Sequence, residues 1–340
     1  MRISQMHVFR HADCGHNEHP ISSNPISRLV EWRMDIGVVM LVKNEVQRLE
    51  GALAPILDQL AQVVVLDNGS TDGTQELLRE KLGVEPIDAV RYAGAFFSKS
   101  ALRNQGLAML NTDWCLSLDA DERLDPRGLH LLRQNPPPKG VAGLFLRWCN
   151  FLEHGETFDD YKCAVFRRGV TMSHIEHENA QTAVRRDGGI VEWSEAVVLE
   201  HRPEGCKDAW KRQFYRQRLA YAMEKEPDVP RYPWFAGYAA YHQGQLDEAR
   251  GWLQRAADST HPLYPVERLN ARVVLTAMAA RQDDFDSSRQ HFDLACRLFE
   301  TVRNDFEVRI NRWVEPWIEE TAAKLDARKL EDIQAPRFAH

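Results

Sequence analysis

Chemistry is most concentrated in this sequence where Trp114 to Leu118, a short apolar run, ends in Asp119-Ala120-Asp121-Glu122. Apolar residues leading straight into Asp-x-Asp read as a buried strand whose C-terminal tip carries carboxylates. Ligands of open α/β sheets sit outside the carboxyl ends of the strands. Two aspartates two residues apart at such a tip can share one hard divalent cation, Mg²⁺ or Mn²⁺, through oxygen ligands. Such a cation can bridge a diphosphate. Alone, the triplet also reads as a solvated turn, so its meaning depends on the elements that hold it.

Upstream, Ile36 to Val42 is a continuous apolar run, as in a strand buried on both faces. It ends in Lys43-Asn44-Glu45, and Leu49, Leu53, Ile56, Leu57 and Leu60 then follow at helix spacing. A second buried strand, Val63 to Leu66, ends in Asp67-Asn68-Gly69-Ser70-Thr71-Asp72-Gly73-Thr74. Asn68 and Gly69 allow a tight turn there, Thr71 or Asp72 can cap the next helix, and Leu77, Leu78 and Leu82 give that helix a buried face. The order βαβα is the signature of a parallel sheet with helices on its faces.

A short strand is expected within Val84 to Phe97, then a helix from Ser100 to Leu110 carrying Arg103 and Asn104. Gln134 to Gly140 contains Pro136, Pro137 and Pro138, which cannot donate to a ladder, so it reads as an exposed loop. Val141 to Trp148 and Tyr161 to Phe166 read as strands flanking a loop at Glu153 to Asp160. Val191 to His201 reads as another strand.

After Pro203 only helical patterns remain. Around Gly244, small and large apolar residues alternate at helix spacing, which suits two tightly packed antiparallel helices. A looser copy runs from Leu269 to Phe299 with its turn at Gln282-Asp283-Asp284-Phe285. The turns lie about 39 residues apart, near a tetratricopeptide period once the Pro262–Pro265 loop is allowed for. This part resembles tetratricopeptide repeats, with Gly237, Ala239, Tyr241, Gly244, Leu246, Ala249 and Ala256 on that pattern. Two such repeats are expected to pack on the first domain rather than stand alone.

The chain of 340 residues is long enough for two domains, and with 44% hydrophobic and 27% charged residues it has an ordinary globular composition. A net charge of -7 argues against nucleic acid as the main partner. No apolar run approaches the ~18 residues of a membrane span, so no transmembrane segment is expected. The six cysteines include no Cys-x-x-Cys pair, which suits reduced thiols and a cytoplasmic protein. Residues 1–33 have little periodicity, and Met34 directly precedes the first strand, so they read as a disordered arm or an extension before the real start. His7, His11, Cys14, His16 and His19 crowd there without the spacing of a usual metal site.

Four blocks taken together resemble the family 2 glycosyltransferases of the GT-A fold. They are Val42-Lys43-Asn44-Glu45, Val65 to Thr74, Arg103-Asn104-Gln105-Gly106 and Leu118 to Glu122, in matching order and spacing. A tetratricopeptide-like tail occurs in the bacterial subgroup that includes peptide S-glycosyltransferases and lipopolysaccharide-core glucosyltransferases. The resemblance implies an arm at 1–34, a GT-A (Rossmann-like) α/β domain at 35–205, an all-α helical region at 206–330 and a tail at 331–340. It implies a UDP-sugar donor held by Val42, Asn44, Glu45, Asp67, Gly69, Ser70, Lys99, Arg103 and Asp119. Glu45 would contact the ribose, Asp67 the uracil edge, and Arg103 or Lys99 the diphosphate. Asp67 reads also as a turn-forming residue, and Arg103 as a surface ion pair on its helix.

By the same resemblance a divalent cation, Mn²⁺ or Mg²⁺, would sit on Asp119, Asp121 and His201, with Asp121 the direct ligand. An inverting transfer needs a general base for the acceptor, and Asp159, Asp160, Glu176, Glu178, Glu192 and Glu195 are candidates. The element His174-Ile175-Glu176-His177-Glu178 matches the subgroup and selects Glu178. Cys163-Ala164 departs from the wider family's polar and basic residues. Trp148, Phe151, Phe158 and Tyr161 crowd the expected acceptor side but suit a core equally. The acceptor is a glycan, a lipid-linked sugar of lipopolysaccharide-core type or a peptide, and the repeats offer a face for self-association or a protein partner. Two other readings compete. A sugar nucleotidyltransferase would want a glycine-rich basic loop after the first strand, where Lys43-Asn44-Glu45 stands. A non-catalytic repeat scaffold would not need Asp67, Asp119 and Asp121 intact.

Overall fold

The computed structural model describes residues 34–89, 96–151, 155–203, 209–310 and 313–338. Readings placed on residues 1–33 lie outside these. The two apolar runs form β1 (Ile36–Val42) and β2 (Gln62–Asp67), with α1 (Leu49–Leu53) between them and α2 (Thr74–Glu76) and the short β3 (Ile87–Asp88) after. Then come α3 (Lys99–Met109), β4 (Trp114–Ser117), β5 (Glu122–Leu124), α4 (Pro126–Gln134), β6 (Val141–Phe151), β7 (Thr157–Arg167), α5 (Gln181–Arg186) and β8 (Ile190–His201). One sheet takes them all in the order β3-β2-β1-β4-β7-β6-β8-β5.

β1 and β4 lie inside the sheet, so their continuous apolar runs are covered twice. Val38, Met40 and Leu116 face α1 and α4 through Leu49, Leu53 and Leu129. Val39, Val64 and Leu66 face α3 through Leu102 and Leu107. Here Gly106 lets α3 lie close, because a Cβ there would come within 2.6 Å of Val39 Cγ2 and 2.9 Å of Leu66 Cδ1. That approach brings the N-terminal turn of α3, with Lys99 and Arg103, over the strand tips.

Three details differ from the sequence reading. The helix after β1 stays α-helical only to Leu53, and Ala54–Gln59 is a 3₁₀ turn; Pro55 has no N–H to continue the ladder. β7 runs antiparallel to both β4 and β6, so the sheet is mixed rather than parallel throughout. β7 also extends into the expected 153–160 loop, beginning at Thr157, and β6 runs on past Trp148 to Phe151.

The all-α region comprises α6 (Ala209–Lys225), α7 (Arg231–His242), α8 (Leu246–Ala257), α9 (Pro265–Arg281), α10 (Phe285–Val302), α11 (Phe306–Ile310) and α12 (Val314–Asp326). Helices α7 and α8 close around Gly244, and α9 and α10 around Asp283, as the repeat pattern requires. Gly237 is the contact point of the first pair: a Cβ there would lie 2.9 Å from the Leu253 backbone nitrogen. Residues 331–338 fold back on this core, where Ile333 and Phe338 are buried and Phe338 N donates to Tyr238 Oη at 3.0 Å. Among the described residues no helix is long and apolar enough to cross a membrane.

Candidate active site at the strand tips

A cavity of about 1230 Å³ opens at the carboxyl ends of β1, β2 and β4 and runs on to α7 and α9. Sheet register assembles its charged end. Leu116 in β4 faces Val165 in β7. Carrying that antiparallel register three residues on brings Lys162 opposite Asp119. Lys162 Nζ lies 3.0 Å from Asp119 Oδ2 and 2.7 Å from Glu122 Oε1. On the other side Arg103 Nη2 donates to Asp119 Oδ1 at 2.6 Å and to Glu178 Oε1 at 3.1 Å. Burial would raise the Asp119 carboxyl, but Lys162 and Arg103 overcome it and hold it well below the usual carboxylate range. Burial likewise works against the Lys162 ammonium, and Asp119 and Glu122 keep it charged.

Arg103 is 3% exposed, so it is not a surface ion pair on its helix. Its Nε and Nη1 have no hydrogen-bond partner, and the residue lines the cavity. Lys162 was missed by the sequence reading; the available signal was a lone cation inside the apolar strand Tyr161–Phe166.

Register also joins Asp121 to His201. In β8, His201 pairs with Glu122 of β5 on one side and Asn150 of β6 on the other. Asn150 Oδ1 accepts from His201 Nδ1 at 2.9 Å, while Asn150 Nδ2 donates to the Trp148 carbonyl. His201 Nε2 faces the other way and stands 3.6 Å from Asp121 Oδ2. Trp148 stacks on the imidazole with ring centroids 4.8 Å apart. Among the described residues no group of three candidate metal ligands stands together; Asp119 is turned to its two cations.

The His-Glu element is a closed loop. Ser173 and Asn179 exchange backbone hydrogen bonds at 2.8 and 3.2 Å, and His174 and His177 between them have φ of 78° and 53°. Left-handed backbone at non-glycine residues costs energy and clusters at functional sites. The fold holds this loop from both halves. Glu176 is buried between Lys99 at 2.6 Å and Arg218 of α6. Tyr232 Oη of α7 accepts from Ile175 N at 2.9 Å, and Phe235 stacks on His177. Of the six candidate bases, Glu178, Glu176, Asp159 and Asp160 line the cavity, and Glu192 and Glu195 do not. Asp159 pairs with Arg147 at 2.7 Å. Burial pushes the Asp160 carboxyl up to about 6.

The loops after β1 and β2 are stitched together. Asn44, at φ 58°, donates from its N to Ser70 Oγ at 2.9 Å and accepts from Thr71 N at 2.8 Å. Asp67 Oδ1 accepts from Ser70 N at 2.7 Å, as a turn-forming residue does, but its Oδ2 has no hydrogen-bond partner, nor has Asn68 Oδ1. Val42, Glu45, Asn68 and Lys99 line the cavity, whereas Asn44, Asp67, Gly69 and Ser70 stand behind it as the frame. Glu45 is paired with Arg48 at 2.6 Å.

Comparison with known proteins places part of the chain in a family. A TPR repeat-containing protein of Synechococcus elongatus is 26% identical over 273 residues, 76% of this chain and 65% of that protein. The lipopolysaccharide core biosynthesis glycosyltransferase LpsC of Rhizobium meliloti is 32% identical over 97 residues, 27% of this chain and 34% of that protein. The chain thus spans less than two thirds of either relative's length. The crystal structure of S. aureus TarS 1-349 aligns with a TM-score of 0.45 and 13% identity, over 76% of this chain and 90% of that one, a likeness too low to bear on the site. The glycosyl transferase family 2 model matches residues 37–134. That stretch is a family 2 glycosyl transferase region, and it holds the strand-tip residues from Val42 to Asp121.

Proposed function

We propose that the chain is an inverting glycosyltransferase that moves a sugar from a UDP-sugar to an acceptor with the help of a divalent cation. One observation carries the reading: Arg103 ties Asp119 to Glu178 at the strand tips and keeps two guanidinium nitrogens, Nε and Nη1, without partners. Such a fork suits the oxygens of a diphosphate. Asn68 Oδ1, in the cavity lining and without a partner, offers an acceptor to a pyrimidine N–H. Lys99 adds positive charge beside Arg103.

The residues present fit a cation. Asp121 and His201 place a carboxylate oxygen and an imidazole nitrogen 3.6 Å apart, and Asn150 orients the ring through Nδ1, as the hydrogen-bond partners of metal-bound histidines do. A bound Mn²⁺ or Mg²⁺ would neutralise the leaving diphosphate. Arg103 and Lys99 hold the donor phosphates; Glu178, held in place by its hydrogen bond from Arg103, takes the acceptor's proton as the nucleophile attacks the anomeric carbon. Attack from the face opposite the diphosphate inverts that carbon. The lipopolysaccharide-core role in the name of LpsC supports a glycan acceptor.

The test is calorimetric titration of UDP, with and without Mn²⁺, on the wild type and Asp121→Ala. Binding that tightens with Mn²⁺, and loses that dependence in the variant, is expected. Absence of UDP binding under both conditions would overturn the reading.

A further inference from the structure

We propose that the far end of the same cavity, built by the helical half, is a saccharide subsite in which Glu267 and Asn270 of α9 receive the hydroxyls of the acceptor. The inference rests on the glycosyltransferase reading above. Pockets for one small ligand usually enclose roughly 300–1,000 Å³. The cavity of about 1230 Å³ exceeds that and continues past the strand tips to Arg231, Trp234, Glu267 and Asn270. It has room for a second substrate.

Two orphaned acceptors mark that end. Glu267 and Asn270 are 5% and 8% exposed, and Glu267 Oε2 and Asn270 Oδ1 have no hydrogen-bond partner. Three residues apart on a helix, they share a face. Buried polar atoms without partners cost free energy unless a ligand satisfies them. Arg231 Nη1 already neutralises Glu267 at 2.5 Å. The site therefore calls for uncharged donors rather than an ammonium group. Neighbouring hydroxyls of a sugar ring supply them, each turning its O–H to suit the acceptor it meets.

The walls agree. Trp234 and Trp313 each meet Phe338 edge-on, with centroids 5.1 and 5.0 Å apart, and all three line the cavity. Aromatic walls beside a few placed polar groups suit the C–H faces of sugars. The subsite also lies one side chain from the base. Arg231 Nε donates at 3.2 Å to the His177 carbonyl, immediately before Glu178, while its Nη1 holds Glu267. A sugar hydroxyl seated here is delivered next to Glu178.

The full-length protein with UDP present would be titrated with the methyl α-glycosides of glucose, galactose and mannose, and with N-acetyl-Gly-Ser-Gly-amide, read by saturation-transfer NMR. At least one glycoside is expected to bind. Its Kd should rise roughly tenfold or more in Glu267→Gln and in Asn270→Ala, with UDP affinity held within about twofold. Asn270→Ala removes an oxygen with no protein partner, so it keeps the test valid even where Glu267→Gln disturbs Arg231 and fails to fold. Binding of the peptide alone, binding of no glycoside, or glycoside affinity unchanged in Asn270→Ala overturns the proposal. Loss of UDP binding with glycoside binding retained would sink the nucleotide-sugar reading and leave the subsite standing.

Discussion

The two ends of the cavity are built from different materials. At the strand tips the lining is ionic, with Arg103 and Lys162 locked between Asp119, Glu122 and Glu178. At the helical end aromatic rings stand beside carboxylates that are already paired, Glu267 with Arg231 and Glu307 with Arg185. Fixed charges in a partly dry site suit a group whose charge changes during reaction, such as a departing diphosphate. Rings and neutral acceptors suit a ligand that stays uncharged. Between the ends, the 173–179 loop belongs to both: Lys99 grips it from the sheet side, and Arg218, Tyr232 and Phe235 from the helices.

The contrast is sharpest between two carboxylates in that loop. Glu178→Gln should lower turnover by ~10²–10⁴-fold with the melting temperature little changed, measured as sugar release from UDP-sugar with acceptor. Glu176→Gln should act on the fold instead. It leaves Arg218, 3% exposed, without its counter-charge, and the loss is about 3–5 kcal/mol in a denaturant titration. Equal turnover losses in two folded variants would break the distinction between base and anchor.

A smaller pair of effects separates the halves. Gly106→Ala and Gly237→Ala each press a methyl into packed neighbours, at about 1–3 kcal/mol. Only Gly106→Ala should also weaken UDP binding, because lifting α3 withdraws Arg103. Titration of both variants with UDP decides this.

A third effect is a pH dependence. Burial raises Asp160 to about 6, against ~3.9 in an unfolded chain. The folded state then holds this proton more tightly, so stability present at low pH is lost as pH rises through that interval. Asp160→Asn removes the ionisable group. Its unfolding midpoint should gain on the wild type between pH ~4 and pH ~7, and a constant offset would show that Asp160 titrates normally.

The strands, their tips and the helical repeats were legible because each is written in consecutive residues. Ile36–Val42 and Gln62–Asp67 announce themselves by apolar, β-branched runs, and Gly244 by its place in a hairpin pattern. The wide separation of partners hid the rest. Lys162 reaches Asp119 only through the β4–β7 register, and His201 reaches Asp121 only because β8 lies between β6 and β5. Register depends on side chains packing across strands far apart in the chain, and no local spacing encodes it. Pro55 marks a helix interruption that the leucine spacing around it masks.

Local sequence thus determined which residues are charged, which runs are buried, and that a βα half precedes a helical half. It also fixed the Asp67, Arg103, Asp119 and Asp121 blocks that the family 2 region carries. Tertiary structure alone decided the partners: that Arg103 is buried between Asp119 and Glu178, that Asn150 orients His201, and that α7 and α9 close one end of the cavity. The physical reason is one of range. Propensity and periodicity act over a few residues, whereas a site is an arrangement of side chains held by contacts that span the chain.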